Sequence, residues 1–434
     1  YNFVLSANGI DLVEFSNPSI AQKDDLLING NNGSSLRFRI TKIDRNKDVM
    51  GYAIFTMPAK LTKSGEPVLF QARGESAGSN IWYMTFKYPI ENELTVKSQP
   101  VLNKRDDKNV QAVLVELVNL DDSGKVSIHS NDQEKEYYDV EPGYNAFKYF
   151  VPETKTNTEL PVHIKIGDAP VITKTCKLKP VRPWTIYFVQ HTHTDIGYTR
   201  PQSEILPEHL RFIDYALEYC DLTDDYPDDA KFRWTCESSW AVEQYLLKRP
   251  DSKVNKLLER IKEGRIEVTG MLFNMSEIAD ETSLKNLLNP LSLFHKYGID
   301  VQTAMQDDVN GIGWCMADYL PDAGVKYLIM GEHGHRALIP FDKPTSFWWQ
   351  SPSGKKMLAF RGEHYMHGNA LLIHTGDLDN FKSNLLNYLT MLEENEYPFD
   401  HLALQYSGYV TDNSPPALAA NKVIKEWNEQ YLWP

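Results

Sequence analysis

Residues 185–200 read TIYFVQHTHTDIGYTR, and this stretch decides how the rest of the chain is interpreted. The apolar run 186–189 is long enough for one buried strand and too short for a helix. Beyond it, His191, His193 and Asp195 stand at alternate positions. Alternate side chains of an extended backbone project from one face, so an imidazole and a carboxylate can converge just past the strand end.

This convergence of ligand types has two interpretations. Nitrogen and oxygen donors suit a divalent metal such as zinc. The same residues also fit a solvated strand end that happens to carry two histidines, because short motifs often occur by chance. Spacing alone leaves both interpretations open.

Length and composition exclude several other classes of protein. With 434 residues, 42% of them apolar, the chain is long enough for two or three domains with full cores. The 59 acidic against 45 basic residues give a formal charge of -14, which argues against a nucleic-acid partner. No apolar run approaches the roughly 18 residues of a transmembrane helix. The four cysteines lack a CxxC pair and indicate neither a disulfide framework nor a thiolate zinc site.

The first part of the chain, up to about residue 181, has the pattern of β-structure. Apolar and polar residues alternate at 36–40 and again at 162–166, and Gly-rich or Pro-Gly turns separate such runs. We predict a β-rich module over residues 1–95 and an immunoglobulin-like sandwich over 96–181. A carbohydrate-binding role is the alternative for either module, but we expect structural spacers because no convergent aromatic or metal cluster stands out. The Pro-containing segment 180–183 is expected to be a stiff linker.

After Trp184 the pattern changes to alternating strands and helices. Four stripes of helical spacing lie within 206–220, 254–261, 284–291 and 381–392. Seven segments are strand candidates: 185–190, 231–235, 265–269, 301–306, 325–330, 356–360 and 402–406. This order predicts parallel strands with helical crossovers, in an α/β barrel or an open α/β sheet. Functional sites of such folds lie at the C-terminal ends of the strands.

The segment His191-Thr-His193-Thr-Asp195-Ile-Gly197-Tyr198 resembles the HxHxDxGW signature that opens the catalytic domain of glycoside hydrolase family 38, the α-mannosidases. The resemblance implies a seven-stranded (β/α) barrel for residues 184–434, in agreement with the seven strand candidates. It also implies that His193 and Asp195 bind a catalytic zinc and that Tyr198 lines the sugar site. Tyr198 stands where the family has Trp.

Two later segments resemble further motifs of the family. Asp308-Val-Asn-Gly311 is similar to a motif in which the Asp is the nucleophile and touches the zinc. Asp307 is the alternative candidate for this motif position. A purely structural interpretation is that the aspartate caps the helix that follows. Asp412, after the last strand, matches the general acid and base of the family, although its Asp-Asn-Ser-Pro-Pro context also fits a helix start.

The polar segment 361–365 lies where the family has residues that contact the sugar. The resemblance therefore implies Glu363, His364 and Tyr365 as substrate-binding residues. Glu237 and Trp240 follow the second strand candidate, and their position fits either support of the site or simple packing.

Taken together, the resemblance implies a zinc-dependent retaining glycoside hydrolase that cleaves α-linked sugars from glycans. Zinc bound by His193, Asp195 and Asp308 would hold the sugar hydroxyls. Asp308 would attack the anomeric carbon while Asp412 protonates the leaving oxygen, and water would then release the sugar with retention. His191 would orient one of the zinc ligands from outside the coordination sphere.

Both ends of the chain carry expectations as well. The chain begins with Tyr1 rather than Met, so we expect that an N-terminal segment has been removed and that the protein is secreted or periplasmic. The family completes its zinc site with a His from beyond the barrel, and no matching His precedes Pro434. We therefore expect the catalytic domain to be truncated at its C-terminus.

Two other functions use the same parts. A metal-dependent polysaccharide deacetylase also has an Asp/His metal site on an incomplete α/β barrel, but it needs no nucleophilic carboxylate at Asp308. A non-catalytic carbohydrate-binding protein on the same scaffold would need neither Asp308 as a nucleophile nor Asp412 as an acid. Chelator-sensitive turnover of an aryl α-mannoside distinguishes the hydrolase from the binding protein.

Overall fold

The computed structural model describes residues 2–16, 26–43, 49–74, 93–105, 108–119, 123–131, 133–275, 279–309, 311–334 and 338–433. The chain divides into two compact units, Tyr1–Val181 and Arg182–Pro434. Within the described ranges, none of the helices has the length and apolar character needed to cross a membrane.

The first unit consists of antiparallel strands. They are β1 (Asn2–Ala7), β2 (Ile10–Ser16), β3 (Leu26–Asn29), β4 (Ser35–Ile43), β5 (Val49–Thr56), β6 (Phe70–Gly74), β7 (Glu93–Arg105), β8 (Lys108–Asn119), β9 (Gly124–His129), β10 (Glu136–Val140), β11 (Gly143–Pro152), β12 (Thr158–Ile166) and β13 (Ile172–Leu178). Within this unit they pair in the orders β2-β1-β6, β3-β4-β5, β11-β8-β7 and β10-β9-β12-β13.

The last two of these sheets share one hydrophobic core, because each strand buries every second side chain. Val113 and Val115 of β8 pack in the same cluster as Val162 and Ile164 of β12. The prediction of a β-rich N-terminal part is thus confirmed, and the immunoglobulin-like arrangement stays a prediction. The predicted boundary between residues 95 and 96 falls inside β7, whose alternating pattern runs through it.

The second unit has a parallel strand at each of the seven predicted places. Its strands are β14 (Thr185–His191), β15 (Trp234–Cys236), β16 (Ile266–Val268), β17 (Thr303–Asp307), β18 (Tyr327–Gly331), β19 (Thr345–Gln350), β20 (Lys356–Arg361), β21 (His401–Ser407) and β22 (Tyr431–Trp433). Strand β19 is antiparallel to β20, and the sequence analysis had not predicted it as a strand.

The predicted closed (β/α)7 barrel is not found among the described residues. Backbone ladders join β14 to β21, β15 to β16, and β17 to β18 to β20. Around the predicted barrel, three pairs of neighbouring strands therefore lack a ladder among the described residues: β14 and β15, β16 and β17, and β20 and β21. We call the gap between such a pair a seam. Strands β15 and β16 have only three residues each, which is too short for an extended ladder on both edges. A cavity of about 700 Å³ lies along the seam between β14 and β15.

All four predicted stripes are helical, one of them in two pieces, and the described residues form four further α-helices where no stripe was predicted. The helices are α1 (Gln202–Leu222), α2 (Ser239–Lys248), α3 (Asp251–Lys262), α4 (Glu281–Asn286), α5 (Pro290–Lys296), α6 (Met316–Asp322), α7 (His367–Ala370), α8 (Leu378–Glu394) and α9 (Ala419–Gln430). The stripe 284–291 is divided between α4 and α5, since Pro290 lacks an N–H and starts a new helix. Gly264, at φ 73°, ends α3 as predicted.

Candidate metal and active site

The site lies at the C-terminal end of β14. His191 and His193 are 0% and 2% exposed, and both present Nδ1 to the same carboxylate, that of Glu237 after β15. The alternation seen in the sequence therefore does place both rings on one face of the extended segment. For Glu237, whose buried carboxylate accepts from both rings, the sequence left support of the site and simple packing open.

His193 has one ring nitrogen in a hydrogen bond and one without. Nδ1 lies 2.9 Å from Glu237 Oε1. Nε2 lies 3.3 Å from Asp195 Oδ1 and 3.9 Å from Asp308 Oδ2, but it has no well-aligned hydrogen-bond partner among the described residues. A buried ring nitrogen left bare beside two carboxylates is the arrangement expected of a metal ligand.

Asp412 joins this group. The donor atoms of His193, Asp195 and Asp412 lie within 4.8 Å of one another. Asp412 Oδ1 also accepts a hydrogen bond of 3.3 Å from the hydroxyl of Tyr365, whose ring lies 4.2 Å from that of His193. We call His193, Asp195, Asp308 and Asp412 the outer group.

The consecutive residues Asp307 and Asp308 both face the site. In a regular strand they would point to opposite sides, but Asp308 has a φ of 58°, which breaks the alternation. Asp307 is fully buried, accepts a hydrogen bond of 2.7 Å from Gln405, and lies 3.5 Å from His191 Nδ1. Asp308, with a side chain 15% exposed, is the one next to His193.

His191, Glu237 and Asp307 form a second set of close donor atoms, which we call the inner group. His191 Nδ1 lies 2.6 Å from Glu237 Oε2, and Nε2 lies 2.7 Å from the carbonyl oxygen of Tyr365. Both of its nitrogens are thus engaged, so His191 offers no free lone pair to a metal. The inner group is a hydrogen-bonded layer beneath the outer group.

Burial and charge shift the pKa values in both groups. Burial opposes ionisation of His193, but the carboxylates of Glu237 and Asp195 hold its pKa well above the usual value. Burial, reinforced by the charge of Glu237, raises the pKa of Asp307 to about 7. Burial also raises the pKa of Asp412, and the carboxylate of Asp195 adds to this rise. The site concentrates negative charge that a divalent cation would neutralise.

Asn413 holds the strand end in place. Its side-chain nitrogen donates to the carbonyl of Asp195 at 3.0 Å, and its side-chain oxygen accepts from the Asp195 N–H at 3.1 Å. The Asn413 N–H also donates to the carbonyl of His193 at 2.8 Å. The backbone of residues 193–195 is therefore clamped by the residue next to Asp412, a long-range contact that no local pattern indicates.

The remaining predicted residues differ in whether they contact residues of the site. Tyr198 is 68% exposed and contacts the carboxylate of Asp195. His364 stacks on Tyr365 with ring centroids 4.3 Å apart. Glu363 Oε1 instead accepts a hydrogen bond of 3.0 Å from Tyr388 on α8. Trp240 packs against Phe273 at 5.7 Å.

Gly331, at the end of β18, leaves no room for a side chain. An added Cβ would lie 2.5 Å from Asp307 Oδ1, 2.6 Å from Gln405 Oε1 and 2.7 Å from Tyr365 Cβ. We expect Gly331→Ala to lower the free energy of unfolding by roughly 1–3 kcal/mol, through overpacking. Urea titration measures the change. In Gly124→Ala the new methyl would meet Val140 alone among the described residues, at 3.8 Å, so this control should lose less than about 1 kcal/mol. Equal losses would contradict the account.

Glu332, which follows Gly331, is a buried carboxylate outside both groups. It is 2% exposed, and its Oε2 has no hydrogen-bond partner within the described ranges. Burial raises the pKa of Glu332 to about 7, against the opposing charge of Arg361. Because the folded pKa exceeds the unfolded one, Glu332 stabilises the fold below about pH 4.5, and this contribution is lost as the pH rises to 7.

Glu332→Gln removes this titration. We expect the unfolding free energy of the variant, relative to the natural protein, to rise by about 2 kcal/mol between pH 5 and pH 8. Urea titrations at the two pH values measure it. A difference that does not vary with pH would show that Glu332 ionises normally.

The outer group fits a zinc ion. It offers one bare imidazole nitrogen and several carboxylate oxygens, which are the donors zinc takes in proteins. The hydrogen bond from His193 Nδ1 to a carboxylate is the support that metal-bound histidines usually have. Asp308 Oδ1, buried and without a hydrogen-bond partner in the described part of the chain, is a further available donor.

Comparison with known proteins agrees with the motif. Residues 183–434, more than half of the chain, match the family described as glycosyl hydrolases family 38 N-terminal domain. No curated protein sequence matches the chain.

Several solved structures are similar in part. An alpha-mannosidase from Enterococcus faecalis V583 is 19% identical over 56% of this chain and 27% of its own, with a TM-score of 0.45. A glycosyl hydrolase family 38 protein from Enterococcus faecalis is 16% identical over 56% and 25%, with a TM-score of 0.37. The 4-alpha-glucanotransferase of Thermococcus litoralis is 12% identical over 55% and 35%, with a TM-score of 0.34. The chain thus spans about a quarter of the length of the first two.

Proposed function

Because this chain belongs to glycosyl hydrolase family 38, we propose that it is a zinc-dependent retaining glycosidase of the α-mannosidase type. Its substrate would be an α-mannoside or a related glycan. A secreted or periplasmic location goes with this proposal.

The observation that carries the proposal is the state of His193. Its Nδ1 is held by Glu237, and its bare Nε2 faces carboxylates supplied by three separate segments of the chain. A structural histidine at a strand end would normally have both nitrogens bonded or solvated. Here the bare nitrogen is buried, so a bound cation explains it better than packing does.

The zinc ligands would be His193, Asp195 and Asp308. Zinc bound there supplies Lewis acidity and a fixed point for sugar hydroxyls. Asp412 lies close enough to share in binding, although its raised pKa suits it better to hold a proton. The hydroxyl of Tyr365 donates to Asp412 and orients its carboxyl group, although this hydrogen bond by itself lowers the pKa and the rise comes from burial and from Asp195.

The two catalytic carboxylates would be Asp308 and Asp412. Asp308 attacks the anomeric carbon as the glycosidic C–O bond breaks, and Asp412 gives its proton to the departing oxygen. Asp412 then takes a proton from water, which attacks the same carbon and frees Asp308. Two displacements return the starting configuration. Asp308 is preferred over Asp307 as nucleophile because Asp307 is fully buried and bonded to Gln405.

The test is hydrolysis of an aryl α-mannoside by the chain. We expect turnover that a chelator abolishes and added zinc restores, with an α-configured mannose as the first product seen by proton NMR. A β-configured first product would contradict retention. Turnover that survives exhaustive chelation would contradict the zinc site.

A further inference from the structure

One carboxylate holds both histidines of the motif. Glu237 directly follows β15 and has a fully buried side chain. Its Oε2 lies 2.6 Å from His191 Nδ1, and its Oε1 lies 2.9 Å from His193 Nδ1. Oε1 also accepts from the N–H of Thr194 at 3.1 Å and from the side-chain nitrogen of Asn274. Four donors from two loops and one strand end thus meet on one side chain.

These contacts decide where the ring protons lie. An ionised carboxylate only accepts hydrogen bonds, so Nδ1 of each ring must donate to Glu237. For His193 this leaves Nε2 as the nitrogen that can face Asp195 and Asp308. For His191, Nε2 donates to the carbonyl oxygen of Tyr365, so this ring carries a proton on both nitrogens. The His193 ring thereby keeps one nitrogen available to a metal, whereas the His191 ring joins β14 to the segment after β20.

Glu237 also reaches across an open seam of the fold. Among the described residues, no backbone ladder joins β14 to β15, and residues of both strands line a cavity. The contacts of Glu237 with His191 and His193 therefore join the two strand ends by side chains. This bridge holds the His193 ring itself, whereas Asn413 holds the backbone of residues 193–195.

We propose that Glu237 is a positioning residue that, through hydrogen bonds to His191 and His193, fixes Nε2 of His193 toward the outer group and sets its affinity for a divalent metal. Glu237 touches neither substrate nor metal. The metal part of this proposal rests on the proposed function, whereas the hydrogen-bond part does not.

The hydrogen bonds are tested without metal. Imidazole N–H protons bonded to a buried carboxylate resonate far downfield of amide protons. In the metal-free chain with ¹⁵N-labelled histidine, we expect two such signals, from His191 and His193. Glu237→Gln should remove both, whereas Glu332→Gln, the same change at another buried carboxylate, should retain them. Two downfield signals that persist in Glu237→Gln would overturn the proposal.

The metal affinity is tested by zinc competition with a chromophoric chelator. Loss of the carboxylate behind a metal-bound histidine typically weakens binding 10–100-fold, and we expect a loss in this range for Glu237→Gln and none for Glu332→Gln. Glu237→Asp keeps the charge but is one methylene too short to hold both rings, so it should lose one downfield signal and part of the affinity. This variant serves if Glu237→Gln does not fold.

The outcomes separate the two proposals. If the natural protein shows the downfield signals but binds no zinc, the proposed function fails while the role of Glu237 in orienting the rings stands. If zinc binds and Glu237→Gln binds it equally well, the positioning role fails while the proposed function stands.

Discussion

Replacing His193 with alanine is expected to abolish zinc binding and to lower kcat/KM for an aryl α-mannoside by about 1000-fold or more. The reason is that His193 is the only imidazole of the described outer group, and its Nε2 is the bare nitrogen. A bound metal contributes several kcal/mol to the stabilisation of transition-state charge, and about 4 kcal/mol corresponds to a factor of about 1000. Steady-state kinetics at saturating zinc measures the loss.

The matched control is His295→Ala. His295 lies on α5, is exposed and has no contact with either group, so its loss should leave zinc content and rate unchanged. Circular dichroism of both variants would show that the fold is retained. Full zinc content in His193→Ala would mean that zinc binds at a site without His193.

The second large effect is expected for Asp412→Ala. General acid catalysis contributes about 10²–10⁴-fold, and the loss should be greatest for glycosides whose leaving group needs a proton. Activated aryl glycosides leave without protonation, so their first step should be affected far less. The space left by the side chain should admit azide, which should partly restore turnover of the activated substrates only.

The alternative for this role is Glu363. Its carboxylate contacts Tyr388 of α8, so Glu363→Ala is expected to retain the dependence on leaving group of the natural protein. An equal loss on both substrate types in Asp412→Ala would remove Asp412 as the acid. Asp412 would then be better explained as a zinc ligand, since its donor atom lies within 4.8 Å of those of His193 and Asp195.

The seven parallel strands of the second unit could be predicted because each follows a short apolar or alternating pattern that ends in polar residues. β14 and β21 lie within one residue of their predicted bounds. Barrel closure could not be predicted, since it depends on ladders between strands far apart in sequence, and β15 and β16 are shorter than the segments predicted for them. The sequence resemblance itself is confirmed by the family match.

The site was predictable where its residues alternate on the segment just past the end of β14. His193 and Asp195 are such residues, and the structure brings them together with Asp308. For Glu237 the sequence left support of the site and simple packing open, because its role arises only when β15 lies beside β14. Asp307 and Asp308 both face the site because the φ of Asp308 is positive. Aspartate tolerates such a φ, but the neighbouring residues do not predict it.

The measurement that tests the central claim most directly is anomalous scattering at the zinc edge from crystals of the chain grown with zinc. The account predicts one strong peak in the outer group, about 2.0–2.2 Å from His193 Nε2 and from a carboxylate oxygen of Asp195. It also predicts that Glu237 lies behind His193 and outside the coordination sphere. A peak on the inner group, or crystals with zinc bound only away from His193, would contradict it.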